Sequence, residues 1–393
     1  MSAFANRLTR RTLVTALAGG VLMTPAGRPA VADQVASTGT PGASPASSPV
    51  ASPAASPGTD PSPTSLVVAG LNNPRGMAFR PDGTLLVATG GNPGPNAALV
   101  EVSDGCPRVL AGGLPTARVA FRAVVGVADV AVLDGRTYLL LAGGNIDGDA
   151  PPNGVYEVSD DGSATLTSDI STFIRDNPVA EIPGDYDTDG QPHAMLPDQS
   201  GDGFLVTEGN SNQLLRVSLG DGSVERVADL SAGHPIPTGL ALDGDGAPLV
   251  AYFTAAPYAE GSARVVRVLP DGSTADAWTG LSLLIDLAVG PDGALWALEM
   301  ATGHGDDPDA IRPGTGRILR RGGDGATTVI ATGLELPSRM RFAPDDSLYV
   351  SGPAFGSDTG EGWVIRLAPS DGIIGPHTVP PIATLTGDLA CPT

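Results

Sequence analysis

The chain has 393 residues and a formal net charge of −21, and all 22 of its basic residues are arginine. A chain this acidic repels the phosphates of nucleic acid and anionic lipid, so neither is an expected partner. Without lysine, Schiff-base chemistry and a phosphate-loop lysine are excluded.

Residues 1–32 read as an export signal. Arg7 and the pair Arg10-Arg11 precede a short apolar run, Leu13–Met23, and Ala30-Val31-Ala32 fits a small-residue cleavage site. The hexapeptide Thr9–Val14 (TRRTLV) resembles a twin-arginine signal, and Gly19 and Gly20 interrupt the apolar run in a way that suits export better than a spanning helix. An ordinary secretory signal is the alternative. The expected destination is the exterior or the cell envelope, with no membrane insertion after cleavage. Residues 33–65 are almost entirely Ala, Ser, Pro, Thr and Gly, a composition that cannot bury a core and is expected to form a disordered linker.

From Leu66 one phrase recurs. In Asn73–Thr89 (NPRGMAFRPDGTLLVAT) a short apolar strand runs into a Pro-Asp-Gly turn and a second apolar strand. Equivalent turns stand at Asp82, Asp134, Asp202, Asp245, Asp292 and Asp345. A second series of strands, each followed by another tight turn, begins near Ala98, Gly154, Gln213, Ala263, Gly316 and Gly362. A period of about 50 residues with four strands per unit predicts propeller blades rather than solenoid turns. Residues 66–393 are therefore read as one all-β domain, a six-bladed β-propeller of four-stranded antiparallel blades, and as a monomer. Leu66–Gly70 resembles Val329–Gly333, an outer strand, and is expected to complete the sixth blade from the opposite end of the chain. Cys106 and Cys391 are either a disulfide fastening the ring ends or two separate buried thiols.

In such a blade the Asp-Gly turns share one face, while the longer connections gather at the other, where sites concentrate. The candidates at that second mouth are Arg75, Asn145, His193, Glu208, Asn210, Asn212, His234, Glu299, His304 and Arg339. The sharpest local signal is Asp185–Gly190 (DYDTDG). Asp185, Asp187 and Asp189 alternate as in the first half of a Ca2+ loop, although Leu196 stands where the loop's bidentate Glu belongs. The alternative is a solvated acidic turn. Glu208 and Glu299 end the second strands of blades three and five, where they would either bind a divalent cation, act as acid and base, or cap loop amides. No Gly-x-Ser-x-Gly elbow, helical pair of His or Cys cluster appears, so nucleophilic and zinc catalysis are unsupported.

Three passages carry a family resemblance. Gly70–Ala88 resembles the opening of the ScyD/ScyE family of exported propellers, Asp187–Val217 resembles its third blade, and Ala331–Leu367 its last. The chain departs from that pattern at Gln191, His193 and Ala194, and at Ser351-Gly352-Pro353. The resemblance implies a six-bladed NHL-like fold and export, and supplies no catalytic residues. Gluconolactonase-like and streptogramin lyase-like propellers have a similar shape, and Glu299 with His304 distantly resembles the latter's metal site. Two functions are therefore expected. One is a secreted binding propeller with an acidic, Asn-rich mouth for a small molecule, glycan or protein. The other is a metal-dependent lyase or lactonase using Glu208, Glu299, His193 or His304.

Overall fold

The computed structural model describes residues 63–119, 123–302, 311–369 and 374–385. The expected signal, nearly all of the expected linker, His304 and Cys391 lie outside the described residues. Everything below concerns the compact unit that begins at Thr59.

Among the described residues there are six blades of four antiparallel strands, as the repeat predicts. Blade one is Pro74–Phe79, Leu85–Thr89, Ala97–Ser103 and Cys106–Leu114. Blade two is Val127–Leu133, Arg136–Leu141, Gly154–Val158 and Ala164–Asp169. Blade three is Pro192–Pro197, Gly203–Glu208, Gln213–Ser218 and Val224–Asp229. Blade four is Pro237–Leu242, Pro248–Tyr252, Ala263–Val268 and Thr274–Leu281. Blade five is Leu284–Val289, Leu295–Glu299, Gly316–Arg321 and Thr327–Leu334. Blade six is Arg339–Phe342, Leu348–Gly352 and Gly362–Leu367, completed by Thr64–Leu71 from the other end of the domain. Each inner strand packs against the next, and that of blade six against that of blade one, so the ring closes.

The core is divided among the seams between blades. Each seam has its own cluster of buried apolar side chains; Leu86 and Leu99 of blade one, for example, meet Val127 and Leu139 of blade two. Aromatic pairs cross other seams edge to face: Tyr138 with Phe204 at 5.3 Å, Trp296 with Phe342 at 5.3 Å, and Phe79 with Tyr349 at 5.0 Å. Because both faces of a blade meet a neighbour, alternation along a strand does not separate inside from outside. Val265 and Val266 point opposite ways and are both buried.

On the third strands the arginines answer the turn aspartates. Arg216 pairs with Asp198 at 2.7 Å, Arg267 with Asp243 at 2.6 Å, Arg366 with Asp345 at 2.7 Å, and Arg320 with Asp292. Four turn aspartates are thus held by arginine. Three features lie outside the repeat. A two-turn helix, Ile170–Asp176, is capped by Asp169, whose Oδ1 accepts from Thr172 N at 2.8 Å. Ala117–Arg118 pairs with Val124–Val125, and His377–Thr378 adds a parallel strand outside blade five. Cys106 opens the outer strand of blade one and is disulfide-bonded; the sequence's other cysteine, Cys391, lies outside the described residues.

Candidate functional site

A bulge near the start of an inner strand decides what faces the central channel. Pairing with the second strand slips between Pro74 and Met77, Val127 and Asp129, Pro192 and Ala194, Pro237 and Leu240, and Leu284 and Asp286. A bulged residue leaves the ladder, and its side chain is re-aimed. Arg75, Ala128, His193, Thr238 and Ile285, at these slips, and Arg339, at the start of blade six, all line one cavity of about 460 Å3. Above them the walls come from the ends of second strands and from connections between blades, among them Val125, Ala142, Asn210, Ile236, Phe253, Tyr258, Met300 and Phe355.

Arg75 and Arg339 lie at the base of this cup. Arg339 is 4% exposed; its Nη1 donates to Ile285 O at 3.3 Å, and its Nη2 donates to His193 Nδ1 at 2.7 Å and to His193 O. A guanidinium only donates, so His193 Nδ1 must accept and the ring proton sits on Nε2. Burial, reinforced by the charges of Arg339 and then Arg75, pushes the His193 pKa well below that of free imidazole, so the ring is neutral. Arg75 Nη2 donates to Val124 O at 2.9 Å. Burial, with the nearby charge of Arg339, pushes the Arg75 pKa down to about 10.

At the rim, Asn212 holds His234. Asn212 Oδ1 accepts from Ile236 N at 2.8 Å, and its Nδ2 donates to Asn210 O at 3.0 Å, which fixes the orientation of the amide. The same Nδ2 therefore donates to His234 Nδ1 at 2.8 Å, leaving the His234 proton on Nε2, 3.4 Å from Asp185 Oδ1. His234 and Ile236 hold left-handed backbones, with φ of 50° and 55°. For a β-branched residue such as Ile236 this is strained.

The structure therefore brings Arg75, His193, Asn210, His234, Arg339 and Asp185 to one cavity, and leaves other candidates out of its lining. Glu208 is fully buried and does not line it: Oε1 accepts from Gln191 N at 2.6 Å and Asn210 N at 2.9 Å, and Oε2 accepts from Ser211 N at 2.7 Å and from Ser211 Oγ. Glu299 is equally buried, accepting from Ser282 N at 2.8 Å and from Arg317 Nε. Burial raises its pKa, against the pull of Arg317. Both carboxylates tie loops together. Asn145 is exposed in the blade-two loop, where its Oδ1 accepts from Asp147 N at 3.1 Å.

The Asp185–Gly190 turn does not assemble a Ca2+ shell. Asp185 reaches His234, Asp187 Oδ1 accepts from Asp189 N at 3.1 Å within its own turn, and Asp189 Oδ1 turns inward to Ile146 N at 2.7 Å. Burial, and then the neighbouring charge of Asp187, raises the Asp189 pKa, opposed by the Ile146 N–H. Among the described residues no three His, Cys, Asp or Glu side chains converge as a metal shell would require. The mouth also differs from the acidic, Asn-rich one expected. Among the described residues Asp185 is the one carboxylate lining the cavity, and two guanidinium groups line it as well.

Two residues that the sequence reading did not single out lock the channel below the arginines. Asp129 Oδ2 accepts from Met195 N of the next blade at 2.8 Å, and Asp286 Oδ2 accepts from Met340 N at 2.8 Å. Three blades apart, they fill the same place. The signal available was an acid inside an otherwise apolar inner strand, in VADVAV and again in LIDLAV.

No protein-family model matches the chain, and no curated protein matches it by sequence. Solved structures do. A putative oxidoreductase (glucose dehydrogenase) from Thermus thermophilus has a TM-score of 0.54 at 17% identity, over 77% of this chain and 98% of that one. A gluconolactonase from Xanthomonas campestris has a TM-score of 0.50 at 16% identity, over 78% and 89% of the two chains. The PQQ-bound aldose sugar dehydrogenase of Streptomyces coelicolor has a TM-score of 0.50 at 14% identity, over 77% and 96%. Together with the sheet topology these likenesses place the chain among the six-bladed β-propellers, and at such identities they speak for the fold alone.

Proposed function

We propose that the protein is a binding propeller that takes a small molecule into its loop-rich mouth. The observation that carries this is the cavity of about 460 Å3, to which all six blades contribute. Its size and mostly apolar lining, with a few convergent polar groups, are those of ligand sites in general. Within this reading the chain is an exported monomer of the ScyD/ScyE type, supported by the twin-arginine-like hexapeptide Thr9–Val14 and by the three passages that resemble that family.

A lyase or lactonase resting on Glu208 and Glu299 is supported less well. Their oxygens are taken by loop amides and Arg317, and neither lines the cavity.

The test is a thermal-shift screen of the full chain against a diverse small-molecule library. A ligand that binds only the folded state raises Tm with concentration. Ala255 lies on the cavity wall and is partly exposed, so Ala255→Trp fills the mouth without entering a seam. Stabilisation of the wild type that Ala255→Trp removes is the expected result. Hits that bind both proteins equally would overturn the reading.

A further inference from the structure

We infer that the molecule this mouth takes is a monoanion, a carboxylate head on an apolar or aromatic body, with the head set against Arg75 and Arg339; this inference rests on the small-molecule reading above. On the third strands four arginines are matched by carboxylate, in the pairs of Arg216, Arg267, Arg320 and Arg366. Arg75 is half-buried and Arg339 buried, each guanidinium feels the other's charge, and neither forms an ion pair among the described residues. Their partners are carbonyl oxygens and one neutral imidazole, and the buried Nε of each has no hydrogen-bond partner.

Two adjacent cations held largely out of water without an ion pair are costly, and an anion between them relieves both. The nearest buried carboxylates do not take that place. Asp129 and Asp286 are turned to backbone amides of the following blades and do not line the cavity. Asp286 lies close enough to feel the Arg339 charge, but it does not occupy the arginine's donors.

The rest of the cup selects the body. Phe253, Tyr258 and Phe355 supply aromatic wall, and most of the exposed lining is apolar. Asp185 at the rim and the chain's formal net charge of −21 disfavour ligands with several negative charges. One charge, held by a planar fork that matches a carboxylate, fits both ends of the site.

The experiment uses matched pairs on the full chain: benzoate with benzamide, cinnamate with cinnamamide, and indole-3-acetate with indole-3-acetamide, with phenyl phosphate as a dianionic control. Affinities are measured by calorimetry or ligand-observed NMR for wild type, Arg75→Gln, Arg339→Gln and Ala255→Trp. Each carboxylate is expected to bind wild type at least tenfold more tightly than its amide and than phenyl phosphate, with the preference lost in Arg75→Gln. Among the described residues the Arg75 side chain makes one hydrogen bond, to Val124 O, so this variant carries the test if Arg339→Gln fails to fold. Equal affinity within the pairs, with binding cleared by Ala255→Trp, would overturn the anion inference and leave the small-molecule reading standing. A preference for phenyl phosphate, or one that survives Arg75→Gln, would also overturn it. Binding of no compound, with Ala255→Trp silent throughout, would remove both.

Discussion

Glu208 shows how a conspicuous acid can belong to the scaffold rather than the site. Its carboxylate gathers the amides of Gln191, Asn210 and Ser211, fixing the loop that carries Asn210 to the rim. Glu208→Ala would orphan three backbone donors, each worth about 1–3 kcal/mol when left unsatisfied. A loss of about 3 kcal/mol or more in urea unfolding is expected, with ligand affinity of the folded protein little changed. Unchanged stability with lost binding would instead place Glu208 in the site. His193 makes a second prediction, with a definite sign. Its folded pKa lies below the unfolded value of about 6.5, so protons bind the unfolded chain first as pH falls. Stability carried by the neutral ring is full above about pH 6.5 and is lost below it, by up to about 1.4 kcal/mol per pH unit. In His193→Gln, compared with wild type by urea unfolding at pH 7 and pH 5, that component of the slope should vanish. An identical pH dependence in the two proteins would show that burial does not hold the ring neutral.

Within the inner strands, Gly76 and Gly239 make room for the next blade's acid. A Cβ on Gly76 would fall 1.8 Å from Asp129 Oδ1 and 2.6 Å from Asp129 Cα, and one on Gly239 would fall 2.5 Å from Asp286 Cα. Gly76→Ala and Gly239→Ala should each cost at least about 2 kcal/mol, since backbone, not a movable side-chain tip, is in the way. A melt within 1 °C of wild type for either variant would refute the close seam. The elements themselves were legible in the sequence. Asp82-Gly83 and its five counterparts end one strand and start another by local turn chemistry alone, and a local signal survives in a sequence. The bulges were not, because a slip between Pro192 and Ala194 is settled by pairing with Thr207 and Glu208 and leaves no mark on the alternation. The site was half legible for the same reason. Arg75, His193 and Arg339 could be placed at the mouth by strand position, whereas the destinations of the Glu208 and Asp189 oxygens depend on amides that only the folded ring brings near.

Over the whole molecule, stability depends on closing the ring. Thr64–Leu71 pairs along Gly362–Leu367 and buries Val68 and Leu71 in the seam between blades six and one. Asn73 reinforces that closure, donating through Nδ2 to Asp358 Oδ1 at 2.9 Å and through its backbone N to Ser357 Oγ at 2.9 Å. Deleting residues 64–71 leaves blade six with an open edge, and calorimetry should show its single unfolding transition broadened or split. An unaltered transition would mean that the closing strand is dispensable. The closed ring is also what brings Arg75, from the first blade, to Arg339, from the last. A crystal structure of the full chain with its tightest-binding small molecule tests this account most directly. It should show the ligand in the channel mouth, its anionic group against Arg75 and Arg339 and its body against Phe253, Tyr258 and Phe355. A ligand bound instead at the Asp-Gly turns of the opposite face, or outside the ring, would contradict it.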